Sequence, residues 1–181
     1  AEILALLESA SKSRYSYRDK AIILTLLDTG IRATELCNLQ IKDLNPVTGH
    51  IRVIGKGKKE RLVPISKETI EAIDEYLQMR PNLNPTAPLF ALKSEKPLER
   101  CKLRKILAEL GNQCVVRRVY PHRFRHTFAI QFLRNGGNIY SLQKILGHSS
   151  LDMVKRYLAI AQYDVDHDHA LASPVKCWNL A

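Results

Sequence analysis

The sequence has no apolar run approaching the roughly 20 residues needed to cross a membrane. Its opening stretch, AEILALLESA, also lacks the basic-then-apolar order of a secretory signal. A cytosolic protein is the expectation. The four cysteines, Cys37, Cys101, Cys114 and Cys177, show neither CxxC pairing nor metal-ligand clustering, which leaves reduced thiols of no catalytic importance as the reading. No internal repeat or low-complexity tract interrupts the chain. Acidic residues are few: 18 Asp and Glu face 28 Lys and Arg, a net charge of +10 at pH 7. Such an excess favours contact with a polyanion, nucleic acid above all, although charge alone does not establish it.

What remains is a chain of 181 residues, 45% of them apolar, long enough for one well-packed domain. It begins without Met inside what reads as a helix, so a fragment of a longer protein is expected. Residues 17 to 29 are apolar densely enough for a largely buried helix, with Gly30 as its stop. A short helix at about 33 to 39 follows, and Arg32, between the two, is a charge beside a heavily apolar element. HIRVIG and ERLVPI flank GKGKK, the pattern of a β-hairpin presenting lysines at its tip. Ser66 is a candidate N-cap for an amphipathic helix over 66 to 80, ended by Pro81, Pro85 and Pro88. LFAL, 89 to 92, reads as a short edge strand. Helices at about 98 to 110, 121 to 135 and 138 to 147 have Gly111, Gly136 and Gly147 at or just past their ends. A last helix begins near Ser150 and carries Leu151, Val154, Tyr157 and Leu158. The expected fold is therefore mainly α with a small antiparallel hairpin or three-stranded sheet.

One set of residues has chemistry suited to a phosphodiester: Arg32, Lys56, His122 with Arg125, His148, and Tyr157. Two guanidiniums can grip non-bridging oxygens while phosphorus becomes five-coordinate. A lysine on a mobile hairpin can protonate a leaving oxygen, and a tyrosine hydroxyl can attack phosphorus. His122 and Arg125 are three apart at the start of one helix, where side chains share a face. Pro121 suits its first turn, whose free N–H groups add partial positive charge.

The strings DTGIRATEL, GKGKKERLVPI, HRFRHTFA and LGHSS, followed by Tyr157 nine positions after His148, resemble the motif series of the tyrosine recombinases, or phage-integrase family, in order and spacing. The resemblance implies that Arg32 and Arg125 clamp the phosphate and that Tyr157 is the nucleophile. It implies that Lys56 protonates the leaving 5′ oxygen, His122 is a general acid/base, His148 holds the scissile phosphate and Glu35 supports the site. Strand cleavage would pass through a 3′-phosphotyrosyl link, with neither ATP nor metal required, and four protomers would act two at a time on double-stranded DNA. Residues 1 to 163 would form the catalytic domain. Residues 164 to 181 would be a tail docking on a neighbouring protomer, and the family's N-terminal DNA-clamping domain is not in this chain.

Other residues carry weaker signals. Lys58, Lys59 and Arg61 read as solvated or phosphate-touching hairpin residues, with Lys58 or Lys59 a lesser candidate for the catalytic lysine. Residues 93 to 125 hold ten Lys and Arg against three Asp and Glu. Within that stretch, Lys102, Arg104, Lys105, Arg117 and Arg118 are candidates for DNA-backbone contact. His126 reads as structural. Tyr163 lies at the wrong distance from His148 to rival Tyr157, and His167, Asp168 and His169 are too poorly spaced for a metal site. Two rival readings remain: a type IB topoisomerase-like enzyme, and a DNA-binding regulator that lost the reaction.

Overall fold

The computed structural model describes residues 1–80, 83–92, 96–148, 150, 154, 156, 157 and 173, without the Lys56 side chain. The expectations for Pro81, Leu151, Leu158, Tyr163, His167, Asp168, His169, Cys177 and the tail beyond 163, Ser173 apart, lie outside the described residues. Seven α-helices are described: α1 (Glu2–Ser11), α2 (Ser16–Thr29), α3 (Ala33–Cys37), α4 (Lys67–Gln78), α5 (Arg100–Gln113), α6 (Pro121–Arg134) and α7 (Ile139–Leu146). A three-stranded antiparallel sheet, ordered β1 (Leu44–Asn45), β2 (His50–Ile54), β3 (Glu60–Pro64), sits between α3 and α4 in the chain. Val154, Arg156 and Tyr157 are helical. No helix among the described residues is long and apolar enough to cross a membrane.

Helix α2 is the spine of the main core, burying Ala21, Ile22, Ile23 and Leu26 completely. It ends at Gly30, in the left-handed region at φ 59° with its N–H returned to the Leu26 carbonyl at 3.1 Å. A side chain is excluded there twice over, because a Cβ on Gly30 would lie 2.4 Å from Phe128 Cδ1. Helix α4 starts as the sequence predicts: Ser66 Oγ accepts from the Thr69 N–H, and Asp28 at the end of α2 holds Ser66 in turn.

The hairpin register pairs Ile51 with Val63 and Val53 with Arg61. Ile51, Val53 and Val63 face inward, whereas Ile54 and Leu62 are exposed, the alternation a one-sided sheet requires. Two expectations are corrected. LFAL is not a strand of the sheet; among the described residues it makes one isolated bridge, Ala91 with Pro97, and Pro88 just before it makes another with Gln40. Pro88 and Pro97 have no N–H with which to extend a ladder. Nor does Gly111 end a helix, because α5 runs on to Gln113. Gly111 is buried inside α5, where a Cβ would meet Val119 Cγ2 at 2.5 Å and the Val116 carbonyl at 2.7 Å.

A second, smaller cluster gathers Ala129, Leu133, Leu142, Leu146, Val154 and Tyr157. Helix α6 serves both cores, giving Phe124 to the first and Ala129 and Leu133 to the second. Arg125 lies between them, 3% exposed.

Candidate active site

The site is assembled around the carboxyl end of α7. Gly147 turns the chain out of the helix in the left-handed region at φ 64°. The Gly147 N–H then bonds the Lys144 carbonyl and the His148 N–H bonds the Gln143 carbonyl. Among the described residues the carbonyls of Ile145 and Leu146 have no backbone partner, and three guanidiniums take them. Arg61 Nε donates to the Ile145 carbonyl at 2.7 Å, Arg125 Nη2 to that of Leu146 at 2.8 Å and Arg32 Nη1 to the same oxygen at 3.4 Å. Orphan carbonyls at the negative end of a helix dipole are where cations are favoured.

Glu35, 4% exposed, is the counter-charge. Its carboxylate accepts from Arg61 Nη1 and Nη2 at 2.8 and 2.9 Å, from Arg32 Nη1 at 3.1 Å and from the Arg32 backbone N–H at 2.7 Å. Burial pushes this carboxyl upward, but the bonds from Arg61 and from the Arg32 backbone, with both guanidinium charges, outweigh it and hold it below the usual carboxylate range.

Arg125 is pinned by the Gly30 carbonyl at 2.8 Å, the Leu146 carbonyl and His148 Nε2 at 2.7 Å. Burial first, and the Arg32 charge second, lower it to about 10. Since guanidinium only donates, His148 Nε2 must accept, so the neutral imidazole carries its proton on Nδ1. That Nδ1 is buried and has no partner among the described residues. Burial, followed by the charges of Arg125, Arg32 and Arg61, brings His148 down to about 4.

Three cations here face one carboxylate, and donors remain. Arg125 keeps its Nε–H and one Nη1–H, and Arg32 keeps its Nε–H and all of Nη2, without described partners. Arg32 is the outward member, with 42% of its side chain exposed. It lines a cleft of about 410 Å³ with His122, Arg100 and Arg104. The arrangement can bind an anion and stabilise charge developing on it.

Of the expected residues, Arg32, Glu35, Arg125 and His148 form one hydrogen-bonded cluster, and His122 shares the cleft. Tyr157 stands on the α7 side, 7% exposed, its ring 5.3 Å from that of His126, so the expected structural role of His126 includes packing on this tyrosine. The backbone around Lys56 is a turn, Lys56–Lys58, whose preceding residue Gly55 bonds the Lys59 carbonyl at 2.8 Å. Lys58 and Lys59 are exposed.

Arg61, expected to be solvated or phosphate-touching, is not solvated. Only 13% of its side chain is exposed, and Glu35 and Ile145 occupy it. The signal was in the alternation of ERLVPI: Arg61 shares the parity of Val63, which faces inward. Lys102, Arg104, Lys105, Arg117 and Arg118 are all exposed. Arg104, Lys105 and Arg118 line a cleft that adjoins the site through Arg104 and Tyr120, whereas Lys102 lines a separate one with Glu109. Arg100 was not singled out, yet it shares the site cleft with Arg104, four residues on. Arg123 is used elsewhere, bonding Glu2 at 2.7 Å and the Arg117 carbonyl. Burial pushes the Cys37 thiol up to about 11, away from the reactive thiolate.

Comparison with known proteins points the same way. The model of the phage integrase family matches residues 1–163. The tyrosine recombinase XerC of Pelobacter propionicus is 37% identical over 159 residues, covering 87% of this chain and 53% of the relative. This chain therefore spans about half the length of that curated relative. A crystal structure of XerH site-specific recombinase bound to its palindromic difH substrate, a post-cleavage complex, superposes with a TM-score of 0.75 at 29% identity, covering 97% of this chain and 52% of that one. The catalytic domain of bacteriophage HP1 integrase superposes with a TM-score of 0.71 at 28% identity, covering 96% of this chain and 92% of that domain. With a family model spanning nearly the whole chain and the charged cluster built from the expected residues, this chain belongs to the phage integrase family of tyrosine recombinases.

Proposed function

We propose that this chain is the DNA-cleaving and rejoining domain of a site-specific recombinase. The observation that carries the reading is the cationic cluster of Arg32, Arg61 and Arg125 around the carboxylate of Glu35, with N–H groups and a His148 Nδ1 that have no partner among the described residues. Such a cluster is short of an anion, and a scissile phosphate fits that deficit. Arg32 and Arg125 would hold its non-bridging oxygens, and His148 would donate Nδ1–H to one of them.

In the reaction, the Tyr157 oxygen forms a bond to phosphorus as the bond from phosphorus to the 5′ oxygen breaks. His122 takes the tyrosine proton, directly or through water, and Lys56 gives a proton to the departing 5′ oxygen. A 5′ hydroxyl from the partner duplex then reverses these steps on the phosphotyrosyl link, which conserves bond energy, so ATP has no role to fill. The site residues supply the acid, the base and the charge stabilisation, and no metal is assigned a step. Lys58, Lys59, Arg104, Lys105, Arg117 and Arg118, with Arg100 added, would hold the duplex backbone, and Lys102 would do so more remotely. Residues 1 to 163 would be the catalytic domain and 164 to 181 a tail docking on a neighbour within a tetramer formed on DNA. The XerH complex with its palindromic difH substrate, and a Tn1549 transposon integrase complex with transposon right end DNA, support the choice of DNA as substrate.

The test is a nicked suicide duplex carrying a permissive cleavage site, followed by denaturing electrophoresis. The chain should form a denaturation-resistant DNA adduct that is lost in Tyr157→Phe. An adduct persisting in Tyr157→Phe would assign the nucleophile elsewhere. No adduct from either protein, even with the full-length protein on its own site, would favour a DNA-binding regulator. Supercoil relaxation without exchange between duplexes would favour the topoisomerase-like reading.

A further inference from the structure

Arg61 is absent from the phosphate-directed set, yet its guanidinium ties β3 to both α3 and α7. It leaves β3 on the inward face, gives both terminal nitrogens to Glu35 of α3 and gives Nε to the Ile145 carbonyl of α7. Two glycines also stand close to it. A Cβ on Gly55 would lie 3.4 Å from its Nη1, and one on Gly147 would lie 3.1 Å from its Cζ. Gly55 immediately precedes Lys56, and Gly147 immediately precedes His148. The glycines leading into both residues therefore stand against one side chain that is itself held by three hydrogen bonds.

We infer that Arg61 is a positioning residue for the leaving-group step, fixing the base of the Lys56 turn against Glu35 and the carboxyl end of α7 and so holding that turn in register with the phosphate clamp. This rests on the reading of Lys56 as proton donor to the 5′ oxygen. Three directed bonds need a planar fork; a lysine at 61 retains the charge but supplies a point donor on a flexible stem. The turn would then lose its abutment while the net charge of the site stayed the same.

A substrate in which sulfur replaces the bridging 5′ oxygen isolates that step. A thiolate leaves without being protonated because a thiol is far more acidic than an alcohol, so such a substrate does not need the proton from Lys56. The measured quantity is the ratio of single-turnover cleavage rates, sulfur-bridged over oxygen-bridged, in the complete protein. Because both rates come from one preparation, the ratio does not depend on the active fraction. Lys56→Ala should raise it by roughly 10²–10⁴-fold over wild type, the usual contribution of a general acid. Arg61→Lys should raise it by about tenfold or more, since a displaced acid loses part of that contribution.

Should Arg61→Lys fold poorly, Gly55→Val perturbs the same contact with Arg61 retained. Gly55 has an extended backbone at φ −92°, which a β-branched residue adopts without strain. It too should raise the ratio. A wild-type ratio in Arg61→Lys, or in Gly55→Val where Arg61→Lys is inactive, overturns the inference and leaves Arg61 a support of Glu35 alone. A wild-type ratio in Lys56→Ala instead overturns the reading of Lys56, a different failure with its own signature.

Discussion

Leu146 contributes to the site through its carbonyl, not its side chain: one oxygen receives Arg125 and Arg32, while the isobutyl group packs in the second cluster. Arg125 shows why residue type matters as well as charge. Its three described bonds run to three acceptors, the Gly30 and Leu146 carbonyls and His148 Nε2, and still leave two N–H groups. Lysine cannot reproduce that geometry. Arg125→Lys should therefore lower single-turnover cleavage by about 10²–10³-fold, the range for losing a preorganised donor at a developing charge. Low-salt DNA binding in gel shifts should change little.

His148 makes a pH prediction at the same scale. Its pKa is about 4 in the folded protein against 6.5 when unperturbed, so the unfolded chain binds the proton more readily. The stability contribution of neutral His148 is intact above about 6.5 and is lost as pH falls through that window toward 4. Unfolding curves without DNA should show falling stability across it. His148→Asn should flatten that part of the profile, and an unchanged profile in the variant would contradict the account.

Among the elements, two helix ends do most of the positioning. The carboxyl end of α7 collects three arginines because Gly147 closes the helix and leaves the Ile145 and Leu146 carbonyls without a backbone partner among the described residues. The carboxyl end of α2 offers the Gly30 carbonyl to Arg125, which links the main core to α6. Gly30→Ala forces a side chain into left-handed backbone and against Phe128. A loss of about 1–3 kcal/mol in denaturant unfolding is expected, as for other overpacked sites. Cleavage should fall further than stability alone predicts, because Arg125 loses its geometry along with that carbonyl. The hairpin is the third positioning element, and its inward face carries Arg61 in place of an apolar residue.

For the whole molecule, the net charge of +10 is not spread evenly. Arg100, Arg104, Lys105 and Arg118 border the clefts beside Arg32 and His122, which argues for a phosphate-tracking surface continuous with the site. The logarithm of DNA affinity should fall linearly with the logarithm of salt concentration. Each of Arg104→Ala and Lys105→Ala should reduce that slope by about 0.9, one phosphate contact each. A slope unchanged in both variants would move the DNA path elsewhere.

Much of this was readable in the sequence because its signals are local. Hydrophobic periodicity, the Ser66 cap, the glycines at 30, 136 and 147 and the paired β-branched runs need only near neighbours to act, and they specified the helices and the hairpin. The four motif strings named the family and nominated Arg32, Glu35, His122, Arg125, His148 and Tyr157, since residue types in order survive without coordinates. Bridge pairing through Pro88 and Pro97, the burial of Gly111 in α5 and the inward turn of Arg61 were decided only in three dimensions. Each depends on what lies across a gap in the chain: Val119 against Gly111, and Glu35 and Ile145 against Arg61. The sequence by itself determined which groups are available to meet a phosphate. Tertiary structure decided which are free to do so, because a guanidinium already saturated by a buried carboxylate and a helix end has few donors left for a ligand.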